Sequence, residues 1–600
     1  MLNRKTIAVI FAAGVLAAAA CIAQSLEDHW NDYLHYALIG RLDMAKANAL
    51  AIIESKPDPV ALHDLSQANP QGYALLLRAK DTPHDPELAE LSTKLWELIE
   101  LGKFIRRTDP QIIVEEVKRL SSTERGRHVA TKRLRSAGEY AISFMLDALA
   151  DPSRRDEWPN VIQALPEIGR DAIRPLGVAL QTGNVAVKAE IVKALGGIRY
   201  PQALPYLKYV IENDQSTQLR ELAGRGINQI NPAALNMPAA ELFYRLAQDY
   251  YYHGESLAPA EDAEFANVWF WDANTGRLTS EKVDKNYFYE LMAMRECEWA
   301  LKADAAFGQA IGLWLAAYFK AESTNIEMPN YFGPGHADAM TYATTAGPEY
   351  LHQALARAVK DNNAYVALGA IEALAVTAGE KSLLYRLGTA QPLVQALSFN
   401  DRAVRYSAAI AIASAGPKEM FPETILVVRN LAEALAQEPQ AESENSERWN
   451  PDLAHSYALR AVTVMAKLAQ TRNRVIDLSA AQTVLMDATK SRQPKIQILA
   501  GQALAYLDSP DAQRSIASMA LAETNAMDVR LQAFASLAAS AKVNARLLDN
   551  ETVDAIYSLV SSREADSGLD ALRAAAAAAY GALNLPSQKV NVLILDQAKS

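Results

Sequence analysis

Residues 184–200 read NVAVKAEIVKALGGIRY and contain the sequence pattern that decides the fold. The apolar residue Val187 is followed four positions later by Ile191, and three positions after that by the small residue Ala194. These positions share one face of a helix, and the small side chain allows a second helix to approach closely. The stretch therefore predicts an amphipathic helix that packs tightly against a neighbouring helix.

This pattern recurs along the chain. Further copies begin at the residues Leu219, Val366, Val404, Ile496, Val529 and Leu572. Some neighbouring copies are 32 or 33 residues apart, and others are 38 or 43 residues apart. Helical units that recur at such intervals stack into a solenoid. We therefore predict an all-α fold, a right-handed α-solenoid of helical hairpins.

The composition of the 600-residue chain is that of a folded protein with a large core. Half of the residues are hydrophobic and 22% are charged, which is ordinary for a globular protein. The formal net charge is −11, and acidic and basic residues are interspersed. Nucleic acid is not an expected partner, because its backbone repels such a chain and no basic stripe is present.

The N-terminus has the features of an export signal. Arg4 and Lys5 precede an apolar run over residues 7–20. This run is too short to span a bilayer comfortably, but it is typical of a secretory signal. Cleavage after Ala23 would remove residues 1–23 as a signal peptide. The pattern predicts simple secretion.

Two alternatives to simple secretion remain open. Residues 18–21 read AAAC and resemble a bacterial lipobox, which would place a lipid on Cys21. Without cleavage, the same segment would stay as a membrane anchor. In each case we expect export to the bacterial periplasm or cell envelope, with membrane contact only through this segment. Cys297 is the second of the two cysteines, so no internal disulfide is expected after cleavage.

The turns before two of the repeated helices resemble a known repeat family. The segments NVAVK at 184–188 and DRAVR at 401–405 resemble the HEAT repeat. That resemblance implies that Asn184 and Asp401 cap the second helix of a hairpin, where a side-chain oxygen satisfies the first N–H groups. The residues just before Leu219 depart from the family pattern and offer no clean cap.

Two other regions resemble the tetratricopeptide repeat. Tyr36, Gly40, Ala45 and Pro57 fall at the spacing of that family. The helix predicted around Cys297 has the spacing of the second helix of such a unit. The resemblance implies further helical hairpins, with Gly40 in the turn of the first one.

These patterns divide the chain into consecutive regions. We predict a signal peptide (1–23), a tetratricopeptide-like region (26–130), HEAT-like repeats (137–232), an aromatic-rich tetratricopeptide-like insertion (240–348), further HEAT-like repeats (350–435), an acidic linker (436–452), a last HEAT-like block (453–585) and a tail (586–600). Within the insertion, residues 267–283 read as two short strands around the turn DANTG at 272–276. This is the signal of a small β-hairpin.

The sequence Trp269-Phe270-Trp271 in this hairpin is the strongest candidate for ligand binding. On a strand, Trp269 and Trp271 face one side and Phe270 faces the other. Two indole rings on one face could stack on a sugar, a peptide or an aromatic ligand, with Arg277 nearby across the hairpin. The alternative is that both rings cover the adjoining helices as part of the core.

Candidate catalytic residues are few. No metalloprotease, P-loop, dinucleotide-binding or nucleophile-elbow motif is present,. His336 and Asp338 lie in one loop and could act as acid, base or metal ligand, but the preferred interpretation is a helix start, with Asp338 near its first turn and His336 exposed to solvent. Residues 253–255, HGE, are read as a turn, and Cys297 as a buried structural thiol. We therefore assign no catalytic residue, cofactor or metal.

The leading functional hypothesis is a non-enzymatic scaffold that binds protein partners, because solenoids present long surfaces and few enclosed pockets. Two alternatives stay open. One is an enzyme whose site lies in residues 250–340, and the other is a carbohydrate- or peptide-binding module that uses the Trp269/Trp271 face.

Overall fold

A computed structural model describes residues 25–259, 264–437, 449–562 and 569–598. The predicted signal peptide, Cys21 and most of the acidic linker lie outside the described residues. The chain divides into two compact units, and the division falls within the predicted insertion. The first unit comprises the described residues up to Leu246 and His253–Phe288, and the second comprises Ala247–Tyr252 and the residues from Tyr289 onward.

Helices account for nearly all of the regular structure in the described residues. Up to the hairpin, the α-helices α1 to α14 are Leu26–Leu38, Leu42–Glu54, Pro59–Ala68, Pro70–Lys80, Pro86–Thr108, Pro110–Arg119, Glu124–Ala137, Glu139–Ala150, Trp158–Ala164, Ile173–Ala179, Val185–Ile198, Leu204–Asn213, Thr217–Ile230 and Ala239–Tyr251. After the hairpin, α15 to α31 are Phe288–Ala303, Gln309–Glu322, Ala339–Ala346, Pro348–Asp361, Ala364–Thr377, Glu380–Leu383, Pro392–Ala396, Arg402–Ala415, Thr424–Leu435, Pro451–Gln470, Gln482–Ala488, Pro494–Leu504, Pro510–Leu521, Met527–Asn544, Asn550–Ser561, Asp570–Ala582 and Ser587–Ala598. The prediction of an all-α fold of helical hairpins is confirmed.

The predicted β-hairpin is present in the first unit. Strands β1, Phe265–Asp272, and β2, Arg277–Asp284, pair in antiparallel register. The turn between them contains Gly276 at a φ of +66°, a left-handed backbone conformation that glycine adopts without a steric penalty. The signal read from the DANTG turn was therefore sufficient to locate this hairpin.

The first helical hairpin, α1 and α2, packs as its small residues predict. Gly40 lies in the turn at a φ of +75°, and Ala45 and Ala49 are fully buried. Tyr33 is also buried, and its hydroxyl lies 2.9 Å from the Ser92 hydroxyl. The small side chains on α2 therefore leave room for the large aromatic side chains of α1 in a shared core.

In the HEAT-like part of the first unit, α10 pairs with α11 and α12 pairs with α13, while α11 and α13 pack directly on each other. The contact between α11 and α13 is so close that a Cβ placed on Gly196 would lie 2.7 Å from the Cα of Gly226. The predicted cap of α11 is confirmed, because the Asn184 side chain accepts hydrogen bonds from the N–H groups of Ala186 and Val187. Before α13, no clean cap was predicted. There Ser216 accepts a hydrogen bond from the backbone N–H three residues later, at 3.3 Å.

The second unit repeats this arrangement. Its helix pairs are α18 with α19, α21 with α22, α23 with α24, α25 with α26, α27 with α28 and α29 with α30. The second helices of successive pairs pack on one another in chain order. Asp401 caps α22 by accepting hydrogen bonds from the N–H groups of Ala403 and Val404, which confirms its predicted role. The basic residue of the same motif, Arg405, joins α22 to α23 through a 3.0 Å ion pair with Glu433.

Among the residues that the structure describes, no helix combines the length and the apolar character needed to cross a membrane.

Candidate functional site

Trp269 is part of the core of the first unit. Its side chain is only 5% exposed, and its indole N–H donates a 2.9 Å hydrogen bond to Oε2 of Glu139. The Asn267 amide donates to Oε1 of the same carboxylate at 2.7 Å, and Arg174 forms an ion pair with Oε2 at 3.0 Å. Glu139, at the first position of α8, therefore joins two donors of β1 and the Arg174 guanidinium of α10 through one carboxylate.

Trp271 and Arg277 lie together at the turn end of the hairpin. Trp271 is half-buried and pairs with Leu278 across the strands, while Arg277 is largely exposed and lies 3.4 Å from a carboxylate oxygen of Asp147. The cavity beside them has a volume of about 30 Å³, the space of a single water molecule. The structure thus brings Trp271 and Arg277 together and places Trp269 away from solvent. A ligand-binding role for these residues stays a prediction.

The loop that contains His336 and Asp338 lies against α16 in the second unit. Asp338 caps α17, because its Oδ1 accepts a 2.8 Å hydrogen bond from the Thr341 N–H. His336 is exposed at its edge, and its ring stacks on Phe332 with a centroid distance of 4.1 Å and an interplanar angle of 17°. This geometry matches the preferred interpretation of the sequence, a helix start with an exposed histidine.

A cavity of about 440 Å³ opens between this loop and α16. The residues that line it are Tyr318, Glu322, Glu327, Met328, Pro329, Asn330, Phe332, Gly333, Pro334, His336 and Asp338. Tyr318 is almost fully buried, and its hydroxyl donates a 2.8 Å hydrogen bond to the carbonyl of Ala337. Trp314 and Tyr342 pack against Tyr318 with ring centroids 5.4 and 6.2 Å away. The aromatic cluster holds the loop in place and leaves the cavity open.

The electrostatics of this cavity are acidic. It is lined by three carboxylates, and none of its described lining residues is lysine or arginine. Burial raises the pKa of Glu322, and the charge of Asp338 adds to that rise. Hydrogen bonds from Thr341 lower the pKa of Asp338, which therefore stays ionised. Burial likewise raises the pKa of the Tyr318 hydroxyl above its usual range, so this phenol is a neutral hydrogen-bond donor at physiological pH.

The surroundings of the other sequence candidates, Cys297 and His253, fit structural roles. Cys297 is fully buried, and desolvation raises the pKa of its thiol well above its usual value, which disfavours the reactive thiolate. His253 lies in the turn after α14 with a φ of +53°. Within the described ranges, no group of three or more His, Cys, Asp or Glu side chains is arranged to hold a metal ion.

Three residues that matter most here were missed by sequence reasoning. Glu139 is separated from Trp269 by 130 residues, and no local signal links them. Tyr318 and Glu322 lie one turn apart on α16, although the sequence pattern predicts a helix only over residues 290–319 and a loop from residue 322 onward. Their one available signal was the aromatic and acidic loop that follows the helix.

Comparison with known proteins gives one family match, and residues 142–228 fit a family model described as HEAT repeats. A curated relative, the bilin biosynthesis protein RpcF of Synechococcus sp. (strain WH8020), is 34% identical over 67 residues. That stretch covers 11% of this chain and 32% of the relative. The chain thus spans about a third of the length of this relative.

Solved structures that are similar to the chain include Kap121p and yeast importin-beta (Kap95p). Kap121p bound to Pho4p is 12% identical, with a TM-score of 0.27, over 88% of this chain and 51% of the other. Yeast importin-beta (Kap95p) is 13% identical, with a TM-score of 0.25, over 93% and 68%. Scores this low do not establish a shared function.

The family match and the helix pairs agree with the sequence pattern from which the fold was predicted. A HEAT-repeat fold is consistent with a protein-binding scaffold, whose repeats supply an extended surface. Residues 142–228 match HEAT repeats, as the resemblance of the turn at 184–188 implied.

Proposed function

We propose that this protein is a non-enzymatic scaffold that binds protein partners in the bacterial periplasm or cell envelope. The observation that carries the proposal is the stacking of the second helices α19, α22, α24, α26, α28 and α30 in chain order within the second unit. Side chains on the uncovered side of these helices lie next to one another from repeat to repeat. Such a layer suits an extended protein segment better than a small molecule.

Exposed apolar side chains on this layer support the proposal. On α19, Val376 is 78% exposed and Tyr365 is also exposed. Charged groups accompany them, since Arg460 on α24 lies 4.0 Å from Glu372 on α19. Protein interfaces combine apolar or aromatic anchors with a polar surround of this kind.

The scaffold proposal is tested by in-cell crosslinking and pull-down of the tagged full-length protein, read by mass spectrometry. A matched pair of variants distinguishes the second-helix layer from the rest of the surface. Val376→Gln changes an exposed side chain on a second helix, and Ile425→Gln changes a 69% exposed side chain on the first helix α23. We expect specific partners whose capture drops with Val376→Gln and is unchanged with Ile425→Gln. Absence of enriched partners would contradict the proposal.

The proposed location rests on the N-terminal pattern of Arg4, Lys5 and the following apolar run. Mapping the N-terminal peptide of the purified protein tests it. A start at Gln24 would indicate secretion, and a lipid on Cys21 would indicate a lipoprotein. An intact Met1 in protein recovered from the cytoplasm would contradict export.

An enzyme with a site in residues 250–340 is the alternative function. The cavity between α16 and the His336 loop favours it, and the curated relative is named as a biosynthesis protein. Exchange of His336 for alanine separates the two functions. An enzyme of this site loses turnover on any substrate it accepts, whereas a scaffold has no turnover to lose.

A further inference from the structure

The cavity at the start of α17 has the chemistry of a site for an organic cation. One wall is the stacked pair of Phe332 and His336, and the carboxylates of Glu322, Glu327 and Asp338 line the remainder. Aromatic faces attract cations through their quadrupole, and carboxylates attract them directly. A volume of about 440 Å³ is within the range of pockets that hold ligand groups.

We propose that this cavity binds the guanidinium group of an arginine side chain presented by a protein partner. The inference rests on the proposed scaffold function and specifies the chemistry of one contact.

Arginine fits the cavity better than other cations do. Its guanidinium is planar, so it can stack on an aromatic ring and present N–H groups to a carboxylate at the same time. A lysine ammonium is a compact point charge, so it gains less binding energy from stacking on the flat aromatic wall. A divalent metal ion needs several ligands at bonding distance, and the described residues form no such group. An anion would be repelled by the three carboxylates that line the cavity.

Glu322 is the residue on which the proposal depends most. It is half-buried, and its Oε1 accepts a 2.8 Å hydrogen bond from the Ala339 N–H. A carboxylate has sites for further donors beyond this one. Burial and the charge of Asp338 raise the pKa of this carboxyl group and so disfavour its ionised form. A bound guanidinium would offset both effects.

The test is calorimetric titration of the full-length protein with three blocked tripeptides, acetyl-glycyl-X-glycine amide, where X is arginine, citrulline or lysine. Citrulline keeps the shape of arginine and removes its charge. We expect the arginine peptide to bind at least about tenfold more tightly than the citrulline peptide, and a few-fold more tightly than the lysine peptide. Equal binding of the arginine and citrulline peptides, or no binding of the arginine peptide, would overturn the proposal.

Two variants and a control locate the binding. Glu322→Gln removes the charge and keeps an oxygen for the Ala339 N–H, and it should weaken arginine binding about tenfold. Glu349→Gln, on an exposed position of α18, makes the same change in net charge outside the cavity and should have no effect. If Glu322→Gln fails to fold, Phe332→Leu removes the ring wall and should weaken binding several-fold. Wild-type affinity in a folded variant at Glu322 or Phe332 would place the arginine elsewhere.

The results separate this inference from the scaffold proposal. If the arginine peptide does not bind but the pull-down enriches partners, the cavity inference falls and the scaffold stands. If the peptide binds as expected but no partner is enriched, the cavity is an arginine site and the scaffold proposal falls.

Discussion

Replacing Glu139 by leucine is expected to destabilise the first unit by about 3–5 kcal/mol. Leucine has a similar volume but supplies no acceptor. The indole N–H of Trp269 and the amide of Asn267 would then be buried without their carboxylate partner. Each buried donor that loses its acceptor costs about 1–3 kcal/mol. Arg174 adds a further loss, because its side chain is only 15% exposed and its guanidinium would lose its carboxylate partner,.

A second substitution at Glu139 separates the loss of the acceptor oxygen from the loss of the charge. Glu139→Gln keeps an oxygen where Trp269 and Arg174 donate, and Asn267 can turn its amide to accept from the new N–H₂ group. Its cost should be about 1–2 kcal/mol, mainly the lost charge. Asp147→Asn is the matched control, because Asp147 lies on the same helix and contacts the same hairpin through an ion pair with Arg277, whose side chain is 66% exposed. Exposed pairs contribute less than about 1 kcal/mol.

Hydrogen exchange of the backbone amides of β1 and β2, read by mass spectrometry, isolates the hairpin from the rest of the chain. Since 1.4 kcal/mol corresponds to a factor of ten, Glu139→Leu should accelerate exchange there by about 100-fold or more. Asp147→Asn should change it by less than about fivefold. Equal effects of the two variants would refute the idea that the buried carboxylate holds the hairpin.

The remaining predictions concern helix contacts, a cap and a buried histidine. Gly196→Ala should lower the free energy of unfolding by about 1–3 kcal/mol in urea titrations, because the new methyl group meets the backbone of Gly226,. Gly197→Ala, whose Cβ would lie 3.3 Å from a proline side chain rather than against backbone, should cost less. Asp401→Ala should cost about 1 kcal/mol, and Asp401→Asn much less, because asparagine still caps the helix. Burial lowers the pKa of His352, so as the pH falls through about 6.5 the unfolded chain takes up a proton that the folded chain refuses. Stability of the second unit should fall over that range in urea titrations at stepped pH, and His352→Gln should remove this part of the pH dependence.

Local features of the fold were predictable from sequence because the interactions behind them are local. Asn184 and Asp401 cap helices that begin at the next residue. The DANTG turn joins strands that pair directly across it. The cap at Ser216 was not predicted, because a serine stands there in place of the Asn or Asp of the family pattern, although its spacing from Leu219 equals that of Asn184 from Val187.

The surroundings of the candidate sites could not be predicted in the same way. The alternation of the strand placed Trp269 and Trp271 on one face, but the burial of Trp269 depends on Glu139, 130 residues earlier in the chain. The cavity beside His336 depends on how a loop folds back on Tyr318. Patterns of period two or 3.6 report which side of an element is apolar. They contain no information on which distant polar group meets that side.

Two glutamates show how the surroundings of a carboxylate separate a structural role from a binding role. Glu139 is almost fully buried and receives three donors from two other elements, so its charge is already matched within the fold. Glu322 is half-buried, receives one backbone N–H and lines an open cavity with two further carboxylates. Removing the charge of Glu139 should therefore reduce stability and leave arginine binding unchanged. Removing the charge of Glu322 should leave stability nearly unchanged, or raise it slightly, because a raised pKa marks a charge that the folded state disfavours,. The same substitution should abolish most of the preference for arginine over citrulline. A loss of stability with Glu322→Gln comparable to that with Glu139→Gln would mean that the cavity carboxylate is also a structural one, and that the fold itself already supplies its counter-charge.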